Sequence, residues 1–241
     1  MPGNSAGGGT SPSKFLLQTG LVLAAFALWD NPVLQPIKLL VVLLHEMSHG
    51  LMALATGGSV EDIVITPSEG GACETLGGNA LLIVSAGYLG SMFFGGILLT
   101  SSRTTGSAAA VYAMLGFLLL GTAFTVLEDQ YSRRFALSVA ASSILIGAFA
   151  PGLLASLLLR AVGTVSCLYA LVDIYNDLLT ESPSGELRSD AVAFSEITGV
   201  APASVGMGWL VVSVFFFLIT LRSSLMESAE ESDAGSGRNS K

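Results

Sequence analysis

Long apolar runs with almost no charge are the feature that most constrains how this chain can fold. A helix needs about 20 apolar residues to cross the hydrocarbon core of a bilayer. Seven runs approach or reach that length, and they are 15–29, 33–56, 80–100, 107–127, 135–150, 153–172 and 205–221. They predict an all-α polytopic membrane protein with about six or seven transmembrane helices, the smaller number applying if the short run 135–150 does not span.

Composition agrees with a membrane location and excludes several classes of protein. Charged residues make up 12% of the chain, against roughly 25% in soluble domains. Apolar residues make up 51%, and the mean hydropathy is +0.70. These values exclude a disordered chain, a nucleic-acid-binding protein and an ordinary soluble enzyme. We therefore expect an integral multi-pass membrane protein in contact with the lipid bilayer and without a nucleic-acid partner, its oligomeric state and organelle being left open.

The composition between the runs divides the chain into one membrane domain and two tails. Residues 1–14 are rich in Gly, Ser and Pro and are predicted to be disordered, as is the acidic tail 223–241. A single polytopic domain is predicted over 15–222. Within it, 57–79 combines β-branched residues with a Pro-Ser-Glu-Gly-Gly turn, which predicts a short β-hairpin after the second helix. The segment 180–204 is predicted to be a polar loop in water or at the interface.

Both histidines of the chain lie in one H-E-x-x-H motif inside the second apolar run. At positions i and i+4, His45 and His49 project from one face of a helix, where their imidazoles can bind one zinc ion. Glu46, next to His45, is placed to accept a proton from zinc-bound water without being a ligand. Ionisable side chains within a membrane span are costly unless they have a partner. The motif therefore predicts a Zn²⁺ site with His45 and His49 as ligands and Glu46 as the catalytic base.

A catalytic zinc needs a third protein ligand, and no histidine is left to supply it. A carboxylate is favoured over a cysteine such as Cys73, and the acidic residues elsewhere within an apolar run lie in the segment 173–177. Asp173 lies deepest in its run and is the preferred third ligand, with Asp177 one turn later as the alternative. If Asp173 is the ligand, Asn176 and Asp177 are expected to lie beside it and support it. In the alternative interpretation, both aspartates cap the helix at the interface. His49 and Asp173 are each predicted roughly 10 Å below the same surface, so the two can meet.

Several segments together resemble the site-2 protease family of intramembrane zinc metallopeptidases, in particular its small peptidase-like branch. These segments are LLHEMSHG at 43–50, GGSVEDIVI at 57–65, GG at 70–71, SAGYLGS at 85–91, LYALVDI at 168–174 and SDA at 189–191. The resemblance covers about residues 36–220. It implies cleavage of transmembrane protein substrates at a zinc held by His45, His49 and Asp173, with Glu46 as the general base. It also implies that the hairpin guides an unwound substrate strand and that the N-terminal side is cytosolic.

Two departures from the family pattern define the alternative hypotheses. Asp173 is followed by Ile174, where the family carries Leu-Asp-Gly, and Gly87-Tyr88 stands where it carries Gly-Pro. The leading hypothesis is an intramembrane zinc metalloprotease. The alternative is a non-catalytic membrane protein of the same fold that binds transmembrane partners. A transporter is disfavoured, because the intramembrane charges form one compact cluster rather than a path across the bilayer.

Overall fold

The computed structural model describes residues 12–179 and 189–225, with side chains described over 12–176 and 189–225. The helices in this part of the chain are α1 (Pro12–Ala27), α2 (Gln35–Ala55), α3 (Ala80–Ser101), α4 (Thr105–Thr125), α5 (Gln130–Phe149), α6 (Gly152–Leu179), α7 (Asp190–Thr198) and α8 (Pro202–Leu225). The strands are β1 (Ser59–Ile65) and β2 (Gly71–Leu76). Each predicted apolar run forms a helix, and the two strands follow the second. The predicted all-α polytopic class with a short hairpin is confirmed.

Five of these helices are long and apolar enough to cross a membrane. They are Gln35–Ala55, Ala80–Ser101, Thr105–Thr125, Gly152–Asn176 and Pro202–Leu225. The apolar helix α1 is shorter, at 16 residues. Helix α5 has 20 residues but carries Arg133 and Arg134 in its first turns, which lowers its apolar character. The chain is therefore a multi-pass membrane protein with five clear spans among the described residues.

Parts of the predicted tails and loop fall outside the described residues. These parts are 1–11, 180–188 and 226–241. Where the structure does describe the same segments, it shows helix: residues 12–14 begin α1, and 223–225 end α8. The segment predicted as a polar loop also contains the whole of α7 and the start of α8. The described half of that segment is thus mostly helical rather than irregular.

The hairpin lies directly after α2 and is anchored on one edge. Strands β1 and β2 pair antiparallel from Ser59 opposite Leu76 to Ile65 opposite Gly71. The other edge of β1 is covered by the connection between α4 and α5. There the amide of Ile63 donates to the carbonyl of Val126 at 3.1 Å, and the amide of Ile65 donates to the Ser132 hydroxyl at 2.9 Å. The hairpin is therefore fixed through β1, while the second edge of β2 pairs with no strand among the described residues.

Helix α2 occupies the centre of the molecule, in contact with α3, α6 and both strands. The run from Leu39 to Leu44 is buried on every side, which explains why its sequence is uniformly apolar rather than amphipathic. Helices α3 and α6 approach closely, because a Cβ at Gly163 of α6 would strike the backbone of Leu99. The polar motif of α2 is thus held within a tightly packed set of helices.

Candidate metal centre

The two histidines of α2 face the same side of the helix, as their spacing predicts. The ring centroids of His45 and His49 are 4.8 Å apart, with the rings nearly perpendicular. His45 also packs edge-to-face against Tyr88 of α3, with centroids 5.0 Å apart, and Tyr88 in turn contacts Trp209 of α8. Three helices therefore restrain the orientation of His45.

A backbone hydrogen bond sets the tautomer of His49. Its Nδ1 lies 2.7 Å from the carbonyl oxygen of Ile83 in α3. A carbonyl oxygen only accepts, so Nδ1 carries the proton and the lone pair of the neutral ring is on Nε2. Metal-ligating histidines commonly have this kind of partner on the other ring nitrogen. The bond leaves His49 Nε2 in the form that binds a metal.

The carboxylate next to both imidazoles is that of Asp190, the first residue of α7. Its Oδ2 lies 3.1 Å from His45 Nε2 and 3.3 Å from His49 Nε2. Ser189 caps α7, its hydroxyl accepting from the amide of Val192. The next residue, Ala191, is buried in a cluster with Tyr88 and Trp209. The Ser189 cap and the packing of Ala191 together place Asp190 next to the histidines.

These three side chains match the donor set that zinc requires. Their ligand atoms lie within 4.8 Å of one another. In tetrahedral sites with bonds of about 2.0–2.2 Å, ligand atoms are roughly 3.3 Å apart. Asp190 Oδ2 is buried and makes no hydrogen bond of good geometry, although two nitrogens lie close to it. A buried oxygen left without a hydrogen bond is expected where a cation completes the site.

Charge and space at Asp190 also fit a metal. Burial raises the pKa of the Asp190 carboxyl, but hydrogen bonds and positive charge from the two imidazoles in their protonated form outweigh burial and bring the pKa to about 2. A bound cation would supply the positive charge in place of those protons. A Cβ at Gly87 of α3 would collide with both His45 Nε2 and Asp190 Oδ2. Only a glycine at that position keeps the space between the ligand atoms open.

Glu46 is buried beside this cluster and is confined by the hairpin. Its side chain is in van der Waals range of Gly71, the first residue of β2, because a Cβ added there would overlap the carboxylate. Glu46 is absent from the group of mutually close ligand atoms formed by the described residues. It is thus a carboxylate placed next to the histidine–aspartate group and not part of that group.

Glu46 and the three ligand residues line one cavity of about 400 Å³. Its wall is built from α2, α3, β2, the end of α6 and the start of α7. The lining residues are Val42, His45, Glu46, His49, Glu69, Gly71, Ala72, Cys73, Thr75, Ile83, Val84, Tyr88, Asp173, Ser189 and Asp190. The cavity therefore joins the candidate metal ligands, the buried carboxylate of Glu46 and one strand of the hairpin.

Of the two carboxylates predicted in α6, the structure describes the side chain of Asp173. Asp173 lines the same cavity, but it is not in the group that Asp190 forms with the histidines. Its role as the third ligand stays a prediction. Asn176 is exposed, and the side chain of Asp177 lies outside the part of the chain that the structure describes. Of the predicted metal ligands, the structure brings His45 and His49 together.

Asp190 lies outside the apolar runs, so the sequence does not single it out as a third ligand. Asp190 follows a polar stretch and belongs to a helix of nine residues. Two signals were present, namely an N-capping serine directly before an acidic residue and the SDA match at 189–191. Neither signal shows by itself that the helix folds back onto the histidines.

Cys73 of β2 lines the cavity, but its thiol is poorly suited to bind a metal. Burial, with the charges of Glu46 and Asp62, raises the pKa of Cys73 to about 12. Cys73 is also absent from the group of close ligand atoms that His45, His49 and Asp190 form. Cys73 packs against Gly50 of α2, which fixes β2 to the helix that carries the histidines.

Comparison with known proteins identifies one family. The model of the Peptidase M50B-like family matches residues 19–220. That match includes the helices that carry His45, Glu46, His49, Asp173 and Asp190. No curated protein and no solved structure matches the chain.

Proposed function

The chain belongs to the Peptidase M50B-like family, and so to the site-2 protease family, and on that premise we propose that it is a zinc-dependent metalloendopeptidase acting on membrane-embedded proteins. One observation carries the proposal. A buried carboxylate oxygen without a hydrogen bond lies 3.1 and 3.3 Å from two imidazole nitrogens. The buried Glu46 lines the same cavity. A metal site with a separate base is the arrangement that metal-dependent peptide hydrolysis uses.

Each side chain has a distinct part in this mechanism. His45, His49 and Asp190 would hold the ion through Nε2, Nε2 and Oδ2. A bound zinc would lower the pKa of a water molecule and polarise the scissile carbonyl. Glu46 accepts the proton of the attacking water on its carboxylate and returns it to the nitrogen of the leaving amine. Gly71 limits the positions open to that carboxylate, which keeps Glu46 directed into the cavity.

The position of β2 supports a strand-like mode of substrate binding. Three consecutive residues of β2, from Gly71 to Cys73, line the metal cavity, while β2 pairs with β1 on its other side. A peptide bond within a transmembrane helix is shielded by its own hydrogen bonds and must unwind before it is attacked. An unwound segment lying along β2 would regain backbone hydrogen bonds by strand addition. The proposed substrate is therefore a transmembrane protein that presents an extended segment.

Replacing the two candidate carboxylates separately tests which of them is the third ligand. We expect Asp190→Ala to lose stoichiometric zinc, because its carboxylate contacts both imidazoles. Asp173→Ala should retain zinc. The measurement is the metal content of detergent-purified protein, with Glu61→Ala on the exposed face of β1 as the control.

Two other results of the zinc measurement would contradict the assignment of Asp190 or the presence of zinc. Loss of zinc from Asp173→Ala with zinc retained in Asp190→Ala would restore the assignment drawn from the sequence. A wild-type protein that binds no zinc would instead favour a non-catalytic membrane protein of this fold. The third ligand and the presence of zinc are thus decided by one set of measurements.

A further inference from the structure

Lys38 is the one lysine or arginine in α2, and the hydrolytic mechanism does not use it. It lies two helical turns before His45 and is 7% exposed. A buried ammonium in a membrane helix needs partners, because removing it from water is costly. Its Nζ lies 3.3 Å from Glu69 Oε1 and 5.0 Å from the centroid of the Trp29 ring. Lys38 thus connects α2 to the loop between the two strands.

Glu69 occupies an unusual backbone position in that loop. Among the described residues it is the one non-glycine residue with a positive φ, at +67°, a conformation that favours glycine. Its amide donates to the carbonyl of Thr66 at 3.1 Å. A residue other than glycine strains the backbone at such a position, so other contacts must offset that cost. Here that side chain accepts from Lys38.

A second contact holds the same loop to the first turn of α2. The side-chain amide of Gln35 donates to the carbonyl of Pro67 at 2.9 Å. Gln35 and Lys38 are three residues apart, so they lie on one face of the helix. Two contacts therefore attach the loop to α2, namely the neutral hydrogen bond from Gln35 and the ion pair of Lys38 with Glu69.

The loop is joined to the metal cavity by very little chain. Glu69 itself lines the cavity, and Gly71, two residues later, is in contact with the Glu46 carboxylate. A shift of the loop relative to α2 would therefore move Gly71 relative to Glu46. Lys38, which holds the loop, and Glu46, which contacts Gly71, both belong to α2.

We propose that Lys38 is a positioning residue, which acts through its ion pair with Glu69 to hold the start of β2 against the Glu46 carboxylate. The inference rests on the proposed role of Glu46 as the general base. It adds a second function for α2, which would supply the metal ligands and also fix the strand that borders them. Gln35 assists at the same loop, and Lys38 provides the charged contact.

Cys73 provides a direct reporter of where β2 lies. The chain has two cysteines, and the other, Cys167, is fully buried. In a Cys167→Ala background, the full-length protein in detergent is treated with N-ethylmaleimide at one fixed pH, and the rate of Cys73 alkylation is measured. We expect Lys38→Met to raise that rate by roughly tenfold, as loss of one charge-assisted hydrogen bond does to an opening equilibrium. Lys38→Arg should restore the original rate.

Three further variants separate the ion pair from other effects. Glu69→Gln and Glu69→Gly should both raise the rate, although glycine suits the backbone at that position better. Glu61→Gln, on the same hairpin but away from α2, should leave it unchanged. An alkylation rate in Lys38→Met equal to that of the parent would overturn the proposal, and so would a parental rate in Glu69→Gly.

Cleavage and metal content distinguish a failure of this inference from a failure of the proposed function. On a transmembrane substrate that the wild type cleaves, Lys38→Met should cleave more slowly at unchanged zinc content, with recovery in Lys38→Arg. Faster alkylation without slower cleavage would show that Lys38 attaches the loop but does not position β2 for catalysis, and this would contradict the proposal. If Glu46→Gln cleaves at the wild-type rate, the general base itself is wrong, whatever the alkylation rates are.

Discussion

Replacing Gly87 by alanine should weaken zinc binding strongly while leaving the protein folded. The added Cβ would collide with His45 Nε2 and Asp190 Oδ2, two atoms that must converge on the ion. Alanine is a better helix former than glycine by about 1 kcal/mol, so α3 itself is not weakened. We expect the zinc affinity to fall by at least about 100-fold, the upper range seen for residues outside the ligand set. Chelator competition on purified protein measures it.

Gly121→Ala provides the matched control for this substitution. Gly121 also lies inside a membrane helix, α4, but a Cβ there would meet nothing within 4 Å. It should bind zinc as the wild type does and be at least as stable. Full zinc occupancy in Gly87→Ala would mean that Asp190 and His45 do not converge on one ion. The comparison separates blockage of the site from any general effect of adding a methyl group to a helix.

Replacing Glu46 by glutamine should keep zinc and remove cleavage. Glutamine has nearly the same shape, so it fits against Gly71, but its neutral amide cannot accept the proton of the attacking water. General-base catalysis contributes typically about 10²–10⁴-fold, and we expect the cleavage rate to fall by that factor. The assay is proteolysis of a single-pass transmembrane substrate in liposomes, with metal content measured on the same preparation.

His45→Ala is the control that distinguishes loss of the base from loss of zinc. It removes a ligand atom 3.1 Å from Asp190 Oδ2, so it should lose both zinc and cleavage. A Glu46→Gln protein that cleaves as fast as the wild type would rule out the proposed base. A Glu46→Gln protein that loses zinc would instead make Glu46 a ligand. The pair of variants therefore separates metal binding from proton transfer.

Much of the fold could be predicted from the sequence because a membrane leaves few choices. Backbone groups in lipid must be satisfied within the segment itself, so each long apolar run becomes a helix. The hairpin was equally predictable, since a β-branched run beside the turn 67–71 interrupts the helical pattern. The described part of 180–204 was harder to predict. Its short helix α7 is stabilised by the Ser189 cap and by packing on Tyr88 and Trp209, rather than by hydrophobic periodicity.

The convergence of the two histidines can be predicted from the sequence, whereas the position of the carboxylate next to them cannot. His45 and His49 are one helical turn apart, so their convergence is a local property of any helix that contains them. Asp190 reaches them only because α7 packs against α3 and α8, where Ala191 contacts the same aromatic residues that restrain His45. No spacing along the chain encodes that contact. The apolar runs by themselves favour Asp173, which lines the cavity from another helix.

The sequence alone thus determined the membrane architecture, the helix that carries the histidines and the residue types of the candidate site. These follow from hydrophobicity and from the helical repeat, both of which act over short stretches of chain. The tertiary structure decided which carboxylate meets the histidines and which glycines, Gly71 and Gly87, leave room for the side chains of the cavity. It also decided that Lys38 contacts Glu69. Those outcomes depend on how helices and the hairpin pack across large separations in sequence, where side-chain shape replaces local pattern as the controlling factor.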